Sequence, residues 1–312
     1  MNDTILIELR TEELPPKSLK LLSEAFADAV FSALRAQEFT TATSVCTPYA
    51  TPRRLALTIS EVAERQPDRL LEKKGPAVAG AIDAAGQPTR ALEGFMRAAG
   101  VSFAQLHRTS DAKGEYLVAR REQKGEELSA HLAAIVAQAV RKLPIPKVMR
   151  WGDSEHQFVR PVHSLILLHG SQVVAGEVLG LGSGRTTLGH RFLSAGDIAI
   201  ERADEYAARL AAAKVIASFG ERRALIATQL EAAAARLGAR INPAAALLDE
   251  VTALVEWPVV YVGEFEAEFL EVPQECLILT MQQNQKYFPL LDTAGRLLNR
   301  FLIVANMQVD DP

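Results

Sequence analysis

A chain of 312 residues with a formal net charge of −4 and a 48% apolar share has the composition of a globular protein long enough for two or more domains. The charge argues against a dedicated nucleic-acid coat protein, which would be basic overall, but leaves room for a local basic face, and no apolar run approaches the ~20 residues that cross a bilayer. Cys46 and Cys276, far apart, give neither a disulfide framework nor a zinc site; with no basic stretch after Met1, the expectation is a cytoplasmic protein with no membrane partner.

Thr4–Leu9 reads as a short strand. Thr11-Glu-Glu reads as a helix start, with acids near the positive end of the dipole and Pro15-Pro16 in the first turn. The helix runs to about Ala36 on Leu19, Leu22, Phe26, Val30 and Leu34. Leu55–Val62 is β-like, Lys73–Pro76 a loop, and Ala91–Ala99 a helix closed by Gly100. Glu115–Arg120 is a strand after a Lys113-Gly114 turn. Glu126–Lys142 is a helix stopped by Pro144-Ile-Pro146. Phe158–His169 and Gln172–Leu179 are paired strands joined at Gly170-Ser171.

From Arg202 the chain is alanine-rich, with two helices broken near Ser218-Phe219-Gly220 and a stripe of Tyr206, Leu210, Leu225, Ile226, Leu230 and Leu237. A helix at Pro243–Val255, a strand at Pro258–Val262, a helix at Gln274–Gln283 and strands at Lys286–Leu291 and Arg300–Ala305 follow. The predicted class is α+β, multidomain, with mixed sheets and packed helices. The composition shift near Phe192–Ala203 divides an N-terminal body, 1–195, which could hold two subdomains, from a helix-rich region, 196–312.

Few residues suggest catalysis. Gly180-Leu-Gly-Ser-Gly-Arg185 follows a strand but lacks the G-x-G-x-x-G spacing, so it reads as a mobile turn. The six histidines show no metal spacing; His163 and His169, an even number apart, read as core or supporting groups. Glu8, Glu12 and Glu13 read as partners of a helix dipole and backbone amides, and Ser154, His156 and Asp153 lack a triad signature. Glu256–Gly263 and Gln283–Asp292 gather aromatic and cationic groups without a nucleophile, which suggests binding, although a packed core is the plainer reading of the residue types. Trp257, before Pro258 and an apolar strand, reads as a core or interface anchor.

Two basic segments stand out. Lys147-Val-Met-Arg150-Trp151 puts cations beside an indole; Gly184–Arg191 puts Arg185, His190 and Arg191 among glycines and hydroxyls in a predicted loop. Both compositions suit phosphate and ribose contacts with base stacking. The alternative for the second is that His190 and Arg191 pair with acids such as Asp197 to close the domain.

The order of several words along the chain resembles the beta subunit of the bacterial tetrameric glycyl-tRNA synthetase. They are Leu6-Ile-Glu-Leu-Arg-Thr-Glu-Glu-Leu-Pro-Pro-Lys17, Ala50-Thr-Pro-Arg-Arg-Leu-Ala56, Lys74-Gly-Pro76, Lys147-Val-Met-Arg-Trp-Gly152 with Phe158-Val-Arg-Pro-Val-His163, Gly189-His-Arg-Phe192, Glu256–Gly263 and Gln285–Asp292. Arg10 stands where that family more often has glycine. The resemblance implies an N-terminal fragment without the family's C-terminal HD-type and anticodon-binding domains. It also implies a body related to the tRNA-binding and editing-like region of phenylalanyl-tRNA synthetase beta chains. The implied role is non-catalytic: to hold tRNA(Gly) and the alpha subunit of an alpha2-beta2 ligase. No cofactor would be bound by this chain, since ATP with magnesium is used through the alpha subunit. Lys147, Arg150, Arg185, His190 and Arg191 would be the tRNA contacts. The alternatives are a hydrolase that edits mischarged tRNA and an assembly scaffold that never touches RNA. The chain carries neither the His-Ile-Gly-His and Lys-Met-Ser-Lys-Ser words of class I synthetases nor anything like a class II ATP core.

Overall fold

The computed structural model describes residues 2–83, 86–111, 114–145 and 147–309. Lys113 of the predicted turn, Pro146 of the predicted helix stop and the terminal Asp310–Pro312 lie outside these residues. In chain order the first strands and helices are β1 (Asn2–Thr11), α1 (Pro16–Ala36), β2 (Cys46–Thr51), β3 (Arg54–Ala63), β4 (Arg69–Ala77), α2 (Val78–Ala81), α3 (Arg90–Ala99), β5 (Leu106–Asp111), β6 (Gly114–Gln123), α4 (Leu132–Arg141), β7 (Met149–Arg150), β8 (Gln157–Phe158) and β9 (Val162–His169). Then come β10 (Gln172–Val173), β11 (Glu177–Val178), β12 (Leu181–Gly184), β13 (Thr186–Leu188), β14 (Asp197–Ala199), α5 (Tyr206–Ala212), α6 (Phe219–Arg236), β15 (Arg240–Ile241), α7 (Ala245–Thr252), β16 (Val259–Glu264), α8 (Gln274–Thr280), β17 (Phe288–Leu291) and β18 (Leu297–Ala305). The class is α+β, as expected, and no helix of the described residues is long and apolar enough to cross a membrane.

β1 organises the larger body. Its run Ile5-Leu6-Ile7-Glu8-Leu9 is buried on both sides. Period-two alternation sends Ile5, Ile7 and Leu9 to one face and Leu6 and Glu8 to the other. The strand is central in the order β11-β12-β9-β1-β3-β2, antiparallel except where β12 runs parallel to β9. Leu6 opposes Thr58 of β3 and Leu168 of β9.

The first face packs under α1, whose Leu19, Leu22, Phe26, Val30 and Leu34 are buried, and under α4. Burying each such side chain contributes about 1.5–3 kcal/mol before entropy is counted. The second face carries Leu6, Ala56, Ile166 and Leu168 and is covered by Ile200, Tyr206, Leu210, Val215 and Ala217. A separate apolar cluster joins α6 and α7 to the sheet ordered β15-β17-β18-β16 through Ile226, Leu230, Val251, Phe288 and Leu302.

The compact units fall elsewhere than at 195/196. Residues 2–64 with 128–309 form one unit, and 65–127 form the other. The physical reason is that Tyr206 and Leu210, beyond the composition shift, cover the sheet built from residues before it. The smaller unit is a three-stranded sheet, β4-β6-β5, with α2 and α3 packing Ala81 and Leu92 against Leu117. Lys73–Pro76, expected as a loop, is part of β4, held by pairing such as Lys74 with Val118. Gly75 is required there: a Cβ would lie 2.7 Å from the Phe95 ring and 2.9 Å from the Leu117 carbonyl.

Several element boundaries shift. Thr11-Glu-Glu does not start α1, which begins at Pro16 with no acid in its first turn; Thr11 instead ends β1. The predicted 126–142 helix begins only at Leu132, after a short 3-10 turn at Leu128–Ala130. The break between the alanine-rich helices falls at 213–218, and Ser218 caps α6, its Oγ accepting from Glu221 N. Gln172–Leu179 is two short strands rather than one. The predicted Gly184–Arg191 loop contains β13, paired antiparallel with β14.

Candidate functional site

On the second face of the central sheet lies an unusual density of buried charge. Glu8 and Arg222 are fully buried, and Arg54, Glu256 and His190 nearly so. Arg54 enters from the start of β3; its Nη2 donates to Leu188 O at 2.9 Å and lies 3.6 Å from Glu256 Oε1. Its Nη1 is 3.9 Å from Glu8 Oε2. Burial by itself would pull the guanidinium's pKa down, but Glu8 and Glu256 outweigh it and hold the cation above its usual value. Tyr206 Oη donates to Glu8 Oε2 at 2.5 Å, and burial followed by the Glu8 charge raises the phenol well above its usual range. Glu256 Oε1 also accepts from Thr51 Oγ1 at 2.7 Å.

Beside this network opens a cavity of about 240 Å³, lined by Arg10, Arg53, Arg54, His190, Arg191 and Glu256 among others. The His190 ring is fixed by backbone: its Nδ1 accepts from Phe192 N and Leu193 N, both at 3.2 Å. Gly189 permits this tight turn, since a Cβ there would meet Ser194 Oγ at 2.5 Å and Ala213 Cβ at 2.7 Å. Arg53 reaches outward, its Nη2 donating to Glu12 Oε2 at 2.8 Å, while Glu12 Oε1 contacts His163 Nε2 at 2.8 Å. His163 and then Arg53 hold the Glu12 carboxyl below its usual pKa.

The structure brings only some of the sequence candidates together. His190 and Arg191 line the cavity, but His190 is 1% exposed, so it meets nothing that stays outside. The expected pairing of these two with Asp197 is not found among the described ion pairs. Arg185 lies apart, with Nη1 donating to Glu201 Oε2 and Nη2 to Ser171 O, each at 3.0 Å. Lys147 and Arg150 do not line the cavity; Arg150 is exposed in β7 and donates to Glu155 Oε1 at 2.8 Å. Trp257 is half-buried, with Lys214 Nζ 4.9 Å from its ring centroid and its amide donating to Asn306 Oδ1 at 3.1 Å.

Sequence reasoning missed Phe192. It is 71% exposed, its ring centroid lies 6.2 Å from that of His190, and Arg191 Cζ lies 5.8 Å from its own centroid. A large ring so exposed beside a cationic cavity has the make-up of a stacking platform. The signal was present in Gly189-His-Arg-Phe192, whose aromatic ends a polar run.

A second concavity, about 960 Å³, runs between α1 and the end of α8, lined by Lys17, Lys20, Glu24, Glu250, Gln283 and Lys286 among others. There α8 widens into a π-turn at Met281–Gln285 and stops at Lys286 in the left-handed region, φ 62°. Lys286 Nζ is 3.0 Å from Glu250 Oε1 and donates to Gln283 O at 2.7 Å, which helps hold this uncommon conformation.

A family profile described as "Glycyl-tRNA synthetase beta subunit" matches residues 5–312. The glycine--tRNA ligase beta subunit of Neisseria meningitidis serogroup B is 55% identical over 313 residues, covering 100% of this chain and 45% of the relative. That of Neisseria gonorrhoeae is 56% identical over 310 residues, covering 99% and 45%. That of Aromatoleum aromaticum is 52% identical over 313 residues, again covering 99% and 45%. The chain thus spans 45% of the length of these relatives. With a match running from residue 5 in β1 past β18, the chain belongs to the glycyl-tRNA synthetase beta subunit family, whose members are subunits of an aminoacyl-tRNA synthetase.

Proposed function

We propose that this chain acts in glycyl-tRNA synthesis as a non-catalytic, tRNA-holding part of an alpha2-beta2 ligase. The observation that carries the reading is the exposed pair Arg191–Phe192, of which Arg191 lines the arginine-rich cavity. A guanidinium and an open aromatic face together suit one phosphate and one unstacked base. Exposed Lys147 and Arg150 in and before β7, and half-exposed Arg185, supply further phosphate contacts. ATP with magnesium and glycine are handled by the alpha subunit, in the cytoplasm. A kinship of the body with the tRNA-binding region of phenylalanyl-tRNA synthetase beta chains belongs to the same reading.

The test is tRNA(Gly) binding by the chain, alone and with the alpha subunit, across a salt series. Arg191→Ala is expected to flatten the slope of log affinity on log salt by about one unit, and Lys147→Ala/Arg150→Ala by up to about two. Phe192→Ala is expected to weaken binding by about 1–3 kcal/mol with the slope unchanged. A chain that binds tRNA with slope and affinity indifferent to all three variants would sink the reading. Pyrophosphate exchange with glycine is expected from the alpha subunit and not from this chain alone.

A further inference from the structure

The cavity beside Arg54 contains more hydrogen-bond donors than the protein satisfies. Among buried side-chain atoms without a partner are Arg53 Nε, Arg54 Nε, Arg54 Nη1 and His190 Nε2. All three residues line the same 240 Å³ space. The histidine is informative because its tautomer follows from geometry. Two backbone amides donate to Nδ1, so that nitrogen carries a lone pair and the ring proton sits on Nε2. His190 Nε2 is thus a buried N–H with nothing to donate to among the described residues.

The charges lean the same way. Four guanidinium groups line the space against one carboxylate, Glu256, which already accepts from Thr51 and neighbours Arg54. Glu8 faces Arg54 as well but does not line the cavity. Arg53 is matched outward by Glu12, while Arg10 and Arg191 have no ion pair among the described residues; the Arg10 Nε donates only to Ser164 Oγ at 3.2 Å. Burial pushes the Arg10 pKa down; Glu8 opposes this, and the neighbouring cations Arg54 and Arg53 add to the fall, with Glu12 the smallest influence. Water filling the space can accept from each donor, but it cannot offset the net positive charge.

We propose that this cavity is a socket for a single phosphate group, with Arg10 and Arg53 supplying charge, Arg54 and His190 Nε2–H supplying buried donors, and Ser194 completing the lining. A phosphate ester matches the set, because its three or four oxygens accept from several donors at once and arginine forks onto it in a fixed plane. The cavity lies below the roughly 300–1,000 Å³ typical of sites for drug-sized ligands, so it takes the phosphate and little of what is attached to it. The socket is independent of whether tRNA is the partner: the phosphate can arrive on an RNA strand or as a mononucleotide or free ion.

The probe is inorganic phosphate, titrated into the chain by calorimetry while the imidazole N–H resonances are followed by ¹⁵N-edited NMR. Binding is expected to saturate, and the His190 Nε2–H signal to move with phosphate and stay still with equal chloride. Arg10→Gln and Arg53→Gln are each expected to weaken phosphate about ten- to a hundredfold. Both lie toward the edge of the buried network, so at least one is expected to keep the wild-type melting transition. A linear, unsaturable heat with a stationary His190 signal overturns the proposal, as does undiminished affinity in both folded variants. A second arm adds an RNA oligonucleotide. Displacement of RNA by phosphate supports the socket with RNA as its source, and phosphate binding that leaves RNA untouched supports it with a free or mononucleotide source. Loss of RNA binding with phosphate binding intact would count against the tRNA reading alone.

Discussion

Arg54→Met is expected to lower folding stability by about 3–5 kcal/mol, although methionine fills much of the same space. The loss comes from what stays behind. Glu8 and Glu256 are both buried, and Arg54 is the cation within ion-pair reach of each. Without it, two carboxylates share a low-dielectric pocket, and the Leu188 carbonyl loses its donor. Adding Glu8→Leu to Arg54→Met should return part of the loss, because an apolar replacement of both partners removes the stranded charge. Urea unfolding of Arg54→Met, of Glu8→Leu and of the double variant checks this. A single-variant loss under ~1 kcal/mol, or a double variant worse than the sum of its singles, would show that Arg54 does not neutralise the pair.

Arg222→Ala is expected to cost a similar amount, about 3–5 kcal/mol, through a different mechanism. Arg222 forms no described ion pair; it feeds four carbonyls, the longest bond running from Nη1 to Ser218 O at 3.4 Å. Nε donates to Thr252 O at 3.0 Å, Nη1 to Ile216 O at 2.5 Å and Nη2 to Ala50 O at 2.7 Å. Burial draws its pKa down to about 10, with Glu256 opposing and Arg54 reinforcing that shift. One side chain thus ties α6 to β2, to the turn before α6 and to the end of α7. Lysine cannot copy this fork, so Arg222→Lys should recover little. Thermal and denaturant unfolding decide the matter: if lysine restores full stability, charge rather than fork geometry is what the site needs.

The parts of the fold that sequence reveals are those with a clean period. The α1 stripe and the Gly100 stop of α3, in the left-handed region at φ 66°, read directly. Paired backbones without a distinctive pattern do not. β4 has polar residues in sequence, Lys73 and Lys74, and its strand character comes from β6. Glu8 shows the limit most clearly. Alternation in a strand buried on both faces looks like a continuous apolar run with one flaw, and only the fold places Tyr206, 198 residues further along, against it. The cavity was half legible. His190 and Arg191 could be picked from their local word, whereas Arg10, Arg54 and Glu256 come from three separate segments and carry no local mark. Arg222 looked like one more cation on an alanine-rich helix, because burial of a charge by carbonyls leaves no trace in spacing.

The position of β1 has a consequence for how the protein is made. Residues 2–11 pair with β3 only a few dozen residues further along the chain, but the other edge of β1 is reserved for β9 at 162–169. At a synthesis rate of roughly 5–20 residues per second, that edge waits on the order of ten seconds or more. Throughout this interval a strongly apolar strand, Ile5-Leu6-Ile7-Glu8-Leu9, has an open row of amides and carbonyls. The 65–127 segment, a compact unit by itself, is synthesised in the meantime. Slowing translation after residue 127 therefore lengthens the period in which the open edge of β1 can pair with another chain.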